Sequence, residues 1–276
     1  MLGREAAERF RDGGDEVDAP DADECDVTDP ASVAASLDRS RPELVLHCAA
    51  YTAVDRAESE EALASKVNGE GSAVVARACR DRGILLVAYG SDYVFDGKGS
   101  RPWREDDPVA PLSAYGRSKL AGERAVVGSG CEHIFLRTQW LYGAHGRNFV
   151  FAILDRARRG EPLRVVDDQR GSPTWTRDLA EATRELVHAG ARGLFHVANG
   201  GDCTWHDFAS LVVAEALPGA SPPARCSTAD LALPARRPAY SVLDTSRYRA
   251  VTGKGLRDWK EAAREFLAGL REGGKK

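Results

Sequence analysis

Two short stretches of the chain, residues 44–49 (LVLHCA) and 84–89 (ILLVAY), are apolar at almost every position. A strand with one wet face alternates, whereas a strand covered on both faces does not. Both stretches are therefore predicted as inner strands of a sheet packed on either side. Apolar residues elsewhere fall at helical spacing, over residues 62–82, closed by Gly83, and over residues 118–127. Residues 131–137 (CEHIFLR) read as a further strand and residues 16–20 as a short one. The opening, MLGREAAERF, reads as a helix with Leu2, Ala6 and Phe10 roughly on one face. Strands alternating with helices predict an α/β fold built on a parallel sheet.

Beyond about residue 145 the texture changes. Helices are predicted over 148–159, 177–188, 205–217 and 259–271, with short strands at 163–166 and 194–197. The stretch SPPARCSTADLALPARRPAYS reads as irregular and the GGKK end as frayed. Residues 1–145 are expected to form one unit. Residues 146–276 are expected to form mainly a smaller lobe, with some segments returning to the sheet.

Open parallel sheets take their ligands beyond the carboxyl ends of the strands. Three segments there are unusual. AYTAVD follows the first apolar run with small residues and a hydroxyl, GSDYVFDG follows the second with Ser91 and Asp92, and PLSAYGRSKLAGE carries Tyr115 and Lys119. On a helix an i,i+4 pair shares one face. A lysine ammonium beside a phenol makes its proton easier to move, and a serine hydroxyl can donate to a carbonyl oxygen that gains charge. Ser91, Tyr115 and Lys119 together suit carbonyl reduction and require no metal. The same Tyr–Lys spacing also arises by chance, with the lysine in solvent.

Composition narrows the classes. A net charge of -4 gives no general attraction to nucleic acid or anionic membrane. There is no apolar run long enough to span a bilayer and no basic leader. Six separated cysteines without CxxC point to reduced thiols and a cytoplasmic location.

The motifs AAYTAVDRAESE, GSDYVFDG, PLSAYGRSKLAGE, LRTQWLYG, NFV, VVDDQRGSPT and PARRP run in order through nearly the whole chain. In that order they resemble the dTDP-4-dehydrorhamnose reductase family, extended members of the short-chain dehydrogenase/reductase superfamily. The resemblance implies a Rossmann-like parallel sheet with a smaller, partly discontinuous C-terminal substrate lobe. It also implies reduction, by NADH or NADPH, of the C4 carbonyl of dTDP-4-dehydro-6-deoxy-L-mannose to dTDP-L-rhamnose. By the resemblance, Tyr115 is the proton donor, and Lys119 holds the nicotinamide ribose and lowers the tyrosine pKa. Ser91 and Asp92 contact the sugar oxygen, and Trp140 and Asn148 lie near the substrate. Arg236 and Arg237 suit a diphosphate clamp, with a solvated pair as the alternative.

Cofactor contacts are carried over in the same way to Leu2, Gly3, Asp26, Val27, Ala49, Ala50 and Thr52. Asp21 or Asp18 is the acidic residue for the adenosine 2′-hydroxyl; with no arginine adjoining that strand end, NADH is favoured. Asn68 is expected either to steady the Lys119 region or to serve as a surface or capping residue, and His47 to be a core histidine. The family leaves room for Mg2+, with no ligand set readable in these residues, and for a monomer or homodimer. In the family a strand and a GxxGxxG loop precede the first helix. Here Leu2 and Gly3 match only the end of that loop, so an open sheet edge and a weakened pyrophosphate cradle are expected. The rivals are another NDP-4-ketosugar reductase or epimerase of the same fold, or a non-catalytic regulatory subunit built on it. The Asp–Glu pair expected of a dehydratase is missing, since Tyr93 follows Asp92.

Overall fold

The computed structural model describes residues 1–273; of the end predicted to fray, 273–276, Gly273 closes the last helix and 274–276 lie outside the described residues. In chain order the elements are α1 (Leu2–Asp12), α2 (Pro30–Ser40), β1 (Leu44–His47), α3 (Glu61–Ser65), α4 (Gly71–Arg82), β2 (Leu85–Ser91), α5 (Ala114–Val127), β3 (His133–Thr138), β4 (Leu141–Tyr142) and α6 (Phe149–Arg158). They continue with β5 (Arg164–Val166), β6 (Arg170–Gly171), β7 (Thr174–Trp175), α7 (Thr176–His188), β8 (Gly193–His196), β9 (Cys203–Thr204), α8 (Trp205–Ala216), β10 (Ala224–Cys226), α9 (Thr228–Leu231), α10 (Ser246–Thr252) and α11 (Trp259–Gly273).

Four strands pair in parallel in the order β1-β2-β3-β8. The continuous apolar runs have the expected cause. Val87, Tyr89, Ile134 and Leu136 face a core shared with Leu2 of α1 and Leu179 of α7, while Leu86, Ala88 and Phe135 face Val33 of α2 and Val75 of α4. Each fully buried leucine or isoleucine contributes about 1.5–3 kcal/mol. This is a Rossmann-like sheet with helices on both sides. A second core, around Tyr142, Ile153, Phe208, Trp259 and Phe266, binds α6, α8 and α11 into a smaller lobe. The lobe is discontinuous, because β8 returns to pair with β3 and Tyr248 of α10 joins the sheet core.

Four predictions are corrected. β1 is the outermost strand of the sheet, with β2 as its one strand neighbour among the described residues. Residues 16–20 run as coil, since an isolated strand leaves its backbone groups unpaired. In place of a ladder, Arg11 donates to the Val17 carbonyl at 3.1 Å and Arg39 faces Asp18 at 3.7 Å. These two arginines hold the coil in place, Arg39 meeting Asp18 near the point where the chain enters β1. The helix predicted over 62–82 is broken by a π-helical turn, Lys66–Glu70. The proline-rich stretch also contains order: β10 pairs with β5, and Ser227 and Asp230 form a capping box on α9.

The π turn and α5 approach each other closely. A Cβ at Gly122 would lie 2.2 Å from the Asn68 carbonyl oxygen. Gly122→Ala is expected to destabilise the protein by about 1–3 kcal/mol in urea unfolding, because backbone atoms have to move. Gly269→Ala in α11, where a Cβ meets nothing within 4 Å, is expected to be neutral or to stabilise by about 0.5–1 kcal/mol. A Gly122→Ala variant as stable as the parent would show that the two segments can slide apart freely.

Candidate active site

The first turn of α5 is fixed by two side chains. Ser113 caps it by accepting from the Gly116 N–H at 3.1 Å, and Glu58 Oε1 accepts from the Ala114 N–H at 2.9 Å. Tyr115 and Lys119 follow one turn apart, over the carboxyl end of β2. Lys119 Nζ donates to the Tyr89 carbonyl at 2.7 Å, and Ser91, the last residue of β2, donates to Asp92 Oδ1 at 3.1 Å. The Ser91 hydroxyl also lies close to the Tyr115 phenol. The structure therefore brings Ser91, Asp92, Tyr115 and Lys119 together.

Asn68 is buried and braces this group. Its Oδ1 accepts from the Tyr51 N–H at 2.8 Å, while Nδ2 donates to the Tyr51 carbonyl at 3.0 Å and to Ser118 Oγ at 2.9 Å. The loop after β1 is thus fastened to α5, which excludes a surface or capping role for Asn68. The π turn that aims Asn68 inward leaves no period in the sequence. His47 is a satisfied core histidine: it meets Ser72 Oγ at 3.1 Å, and burial pushes it down to about 4, so it is neutral.

Burial dominates the electrostatics. The Tyr115 phenol is pushed up to about 12 by desolvation, with the Ser91 hydroxyl pulling the other way. The expected lowering by Lys119 is corrected, because the ammonium is spent on the Tyr89 carbonyl rather than aimed at the phenol. Tyr115 is accordingly protonated at neutral pH, the state a proton donor needs. Desolvation lowers Lys119 itself to about 8. Asp92 is 2% exposed, and desolvation raises it to about 6 against the opposing hydroxyls of Ser241 and Ser91. Its Oδ2 has no hydrogen-bond partner among the described residues.

The other predicted substrate residues divide. Trp140 is held at φ 49° and stacks on Trp205 with centroids 3.7 Å apart and planes 9° apart, making an aromatic platform over Gly171. Asn148 caps α6, accepting from the Phe151 N–H at 3.3 Å and donating to the Gly143 carbonyl at 2.8 Å, so its side chain is spent on the backbone. Arg237 forms a fork on Asp55, at 2.9 and 2.8 Å, and is not a free diphosphate clamp. Arg236 is exposed and has no ion-pair partner among the described residues. Sequence reasoning missed Asp55, Glu58, Tyr93 and Ser241. Their partners lie far away in the chain, so neither spacing nor periodicity marks them.

The residues matched to cofactor contacts also separate. Ala49 and Ala50 line, with His47, Cys48, Asn68 and Lys119, a cavity of about 30 Å³. Thr52 is exposed in the same loop. A Cβ at Gly3 would lie 3.3 Å from Cys48 Cβ, which sets the first turn of α1 against the carboxyl end of β1. Leu2 spends its side chain in the sheet core. Asp26 accepts from both the N–H and the hydroxyl of Thr28 at 2.8 Å, bonds that hold its carboxyl below the usual range, while Val27 packs against Gly71. Asp21 is exposed and accepts from the Asp23 N–H at 3.0 Å. Small residues around a buried lysine at a sheet's carboxyl edge fit a nicotinamide ribose.

A family model described as RmlD substrate binding domain matches residues 1–272. A probable dTDP-4,6-dihydroxy-2-methyloxan-3-one 4-ketoreductase of Streptomyces antibioticus is 45% identical over 269 residues, covering 96% of this chain and 90% of that protein. A dTDP-4-dehydrorhamnose reductase of Streptomyces griseus is 44% identical over 278 residues, covering 98% and 91%. Among solved structures, the dTDP-4-dehydrorhamnose reductase of Bacillus anthracis in complex with NADP superposes with a TM-score of 0.94 at 33% identity. That superposition covers 98% of this chain and 95% of the other.

The raised Asp92 carboxyl has a consequence for stability. Near pH 3 both folded and unfolded chains hold its proton. Between about pH 4 and 6 only the folded chain does, so its contribution falls as pH rises through that window, by about 3 kcal/mol in full. Asp92→Asn removes the term. Urea unfolding of both proteins at pH 4.5 and 7.5 should therefore show the parent losing ground to the variant at the higher pH. Parallel pH dependences would refute the buried, proton-retaining carboxyl.

Proposed function

The chain belongs to the dTDP-4-dehydrorhamnose reductase family, and on that premise we propose that it reduces the C4 carbonyl of dTDP-4-dehydro-6-deoxy-L-mannose to dTDP-L-rhamnose with NADH or NADPH. The observation that carries this reading is the convergence of Ser91 and Tyr115 at the end of β2, with half-buried Lys119 donating to the Tyr89 carbonyl beside them. A bound reduced nicotinamide supplies the hydride. Ser91 donates a hydrogen bond to the carbonyl oxygen as negative charge builds there, and Tyr115 Oη delivers the proton that makes it a hydroxyl. Lys119 holds the ribose in this reading, and the small side chains of Ala49 and Ala50 beside it support that role. Before the carbonyl arrives, Asp92 Oδ1 holds the one Ser91 hydroxyl hydrogen, which turns to the carbonyl oxygen when the sugar binds.

Arg236, exposed beside the site, is the arginine left for the diphosphate. The aromatic platform of Trp140 and Trp205 gives the substrate a flat apolar wall. Arg11 and Arg39 are occupied by the Val17 carbonyl and Asp18, so the reason for favouring NADH stands, with NADPH as the alternative. All six thiols are free, which suits the cytoplasm. No helix among the described residues is long and apolar enough to cross a membrane. The Streptomyces antibioticus relative supports a second reading, reduction of another dTDP-4-ketosugar by the same residues.

Tyr115→Phe removes one oxygen and little packing. Turnover of dTDP-4-dehydro-6-deoxy-L-mannose, followed by loss of NAD(P)H absorbance, should fall by about 100-fold or more, with stability within about 1 kcal/mol of the parent. Near-normal turnover in that variant would sink the assignment of Tyr115. Faster turnover of a different dTDP-4-ketosugar by the parent would favour the second reading.

A further inference from the structure

Residues 235–243, far along the chain, cross directly over the loops that carry the candidate active site. A Cβ at Gly97 would lie 2.5 Å from Pro238 Cα; the Tyr240 N–H donates to the Gly97 carbonyl at 3.1 Å, and the Trp103 N–H to the Val242 carbonyl at 2.8 Å. The crossing is pinned at one end by Arg237. Its guanidinium gives both Nη1 and Nη2 to Asp55, and Nη1 also donates to the Ala235 carbonyl at 3.0 Å. The Ala235 N–H in turn donates to Asp55 Oδ1 at 3.2 Å. The Arg237 side chain is 14% exposed, so this fork is shielded and holds two segments 182 positions apart.

Two routes lead from that fork to Tyr115. Asp55 immediately precedes the short helix Arg56–Glu58, whose last residue accepts from the Ala114 N–H and so sets the first turn of α5. The Arg237 guanidinium also lies close to Tyr93, whose ring meets the Tyr115 ring edge-on, with centroids 5.3 Å apart at 83°. The Tyr93 carbonyl lies against Gly116, where a Cβ would approach it to 2.4 Å. One route locates the backbone of Tyr115, the other its ring.

We infer that the Asp55–Arg237 fork is a positioning device for the Tyr115 phenol, acting through Glu58 and the Tyr93 ring, and that Arg237 is not a ligand of the substrate diphosphate. The inference rests on the reading of Tyr115 as proton donor. A phenol displaced by about 1 Å from its acceptor loses rate without losing bound substrate. Kinetics therefore separate the two roles of Arg237: positioning moves kcat, diphosphate binding moves KM.

The test uses the full chain with 3-fluorotyrosine at position 115, read by fluorine NMR without substrate, together with steady-state kinetics on the unlabelled proteins. Arg237→Gln and Asp55→Asn should each shift or broaden the fluorine line and lower kcat by about 10- to 100-fold, with KM for the nucleotide sugar changed less than about threefold. Arg237→Lys, which keeps the charge and one contact, should recover part of both effects. Arg264→Gln, which breaks an exposed pair with Glu215 in the other lobe, should leave the line where it is. An unmoved line in both Arg237→Gln and Asp55→Asn would overturn the inference, even in a protein that does not turn over. A KM raised 10-fold or more with kcat retained would overturn it too, by making Arg237 a substrate ligand. Retained activity in Tyr115→Phe would instead overturn the proton-donor reading, while the fluorine line still reports on the fork.

Discussion

The close seating of α5 is the constraint on which the rest of the site depends. Two glycines let its backbone touch its neighbours, Gly116 against the Tyr93 carbonyl and Gly122 against the Asn68 carbonyl. A buried ion pair then locks the helix to the sheet: Arg137 of β3 forks onto Glu123 at 2.8 and 2.6 Å. The remaining guanidinium nitrogen meets the Glu105 carbonyl at 3.2 Å and His196 Nε2 at 3.2 Å. Burial lowers His196 to about 3, so the ring is neutral and Nε2 accepts while Nδ1 donates to the Trp103 carbonyl. Glu123 is therefore the carboxylate that neutralises Arg137. Removing one partner of such a pair strands a charge in the interior, a cost of about 3–5 kcal/mol.

With α5 so held, the chemistry of the site follows from desolvation more than from charge pairing. The phenol of Tyr115 stays protonated because its surroundings disfavour a phenolate, and Asp92 keeps a raised carboxyl for the same reason. Lys119, one helical turn on from the phenol, donates to a main-chain carbonyl. It borders the cavity lined by Ala49 and Ala50.

The sheet was legible in the sequence because burial on both faces leaves a continuous apolar signal, as in β2 and β3. The Ser91, Tyr115 and Lys119 set was legible because helical spacing and strand ends are local facts. The outer position of β1 and the coil at 16–20 were not, since a strand's rank in a sheet depends on what lies beside it. The π turn at Lys66–Glu70 was hidden within a helical pattern that continues on both sides of it. Asp55 and Ser241 carried no signal, and Arg237 read as half of a diphosphate clamp, because only the fold brings their distant partners to them. Lys119 was correctly placed but wrongly aimed, a distinction of side-chain direction that spacing does not carry.

The strand ends and α5, with Ser91 and Tyr115, are all laid down in the first half of the chain, whereas residues 235–243 close over them from near the other end. Seen as an order of manufacture, this makes the site a structure finished late. As the polypeptide emerges from the ribosome, its reactive hydroxyls are exposed long before Pro238 reaches Gly97 and Arg237 reaches Asp55. A nascent or prematurely released fragment holds the reactive hydroxyls without the segment that aligns them. The crossing is thereby tied to completion of the chain, since a copy that stops short of Arg237 has nothing to pair with Asp55.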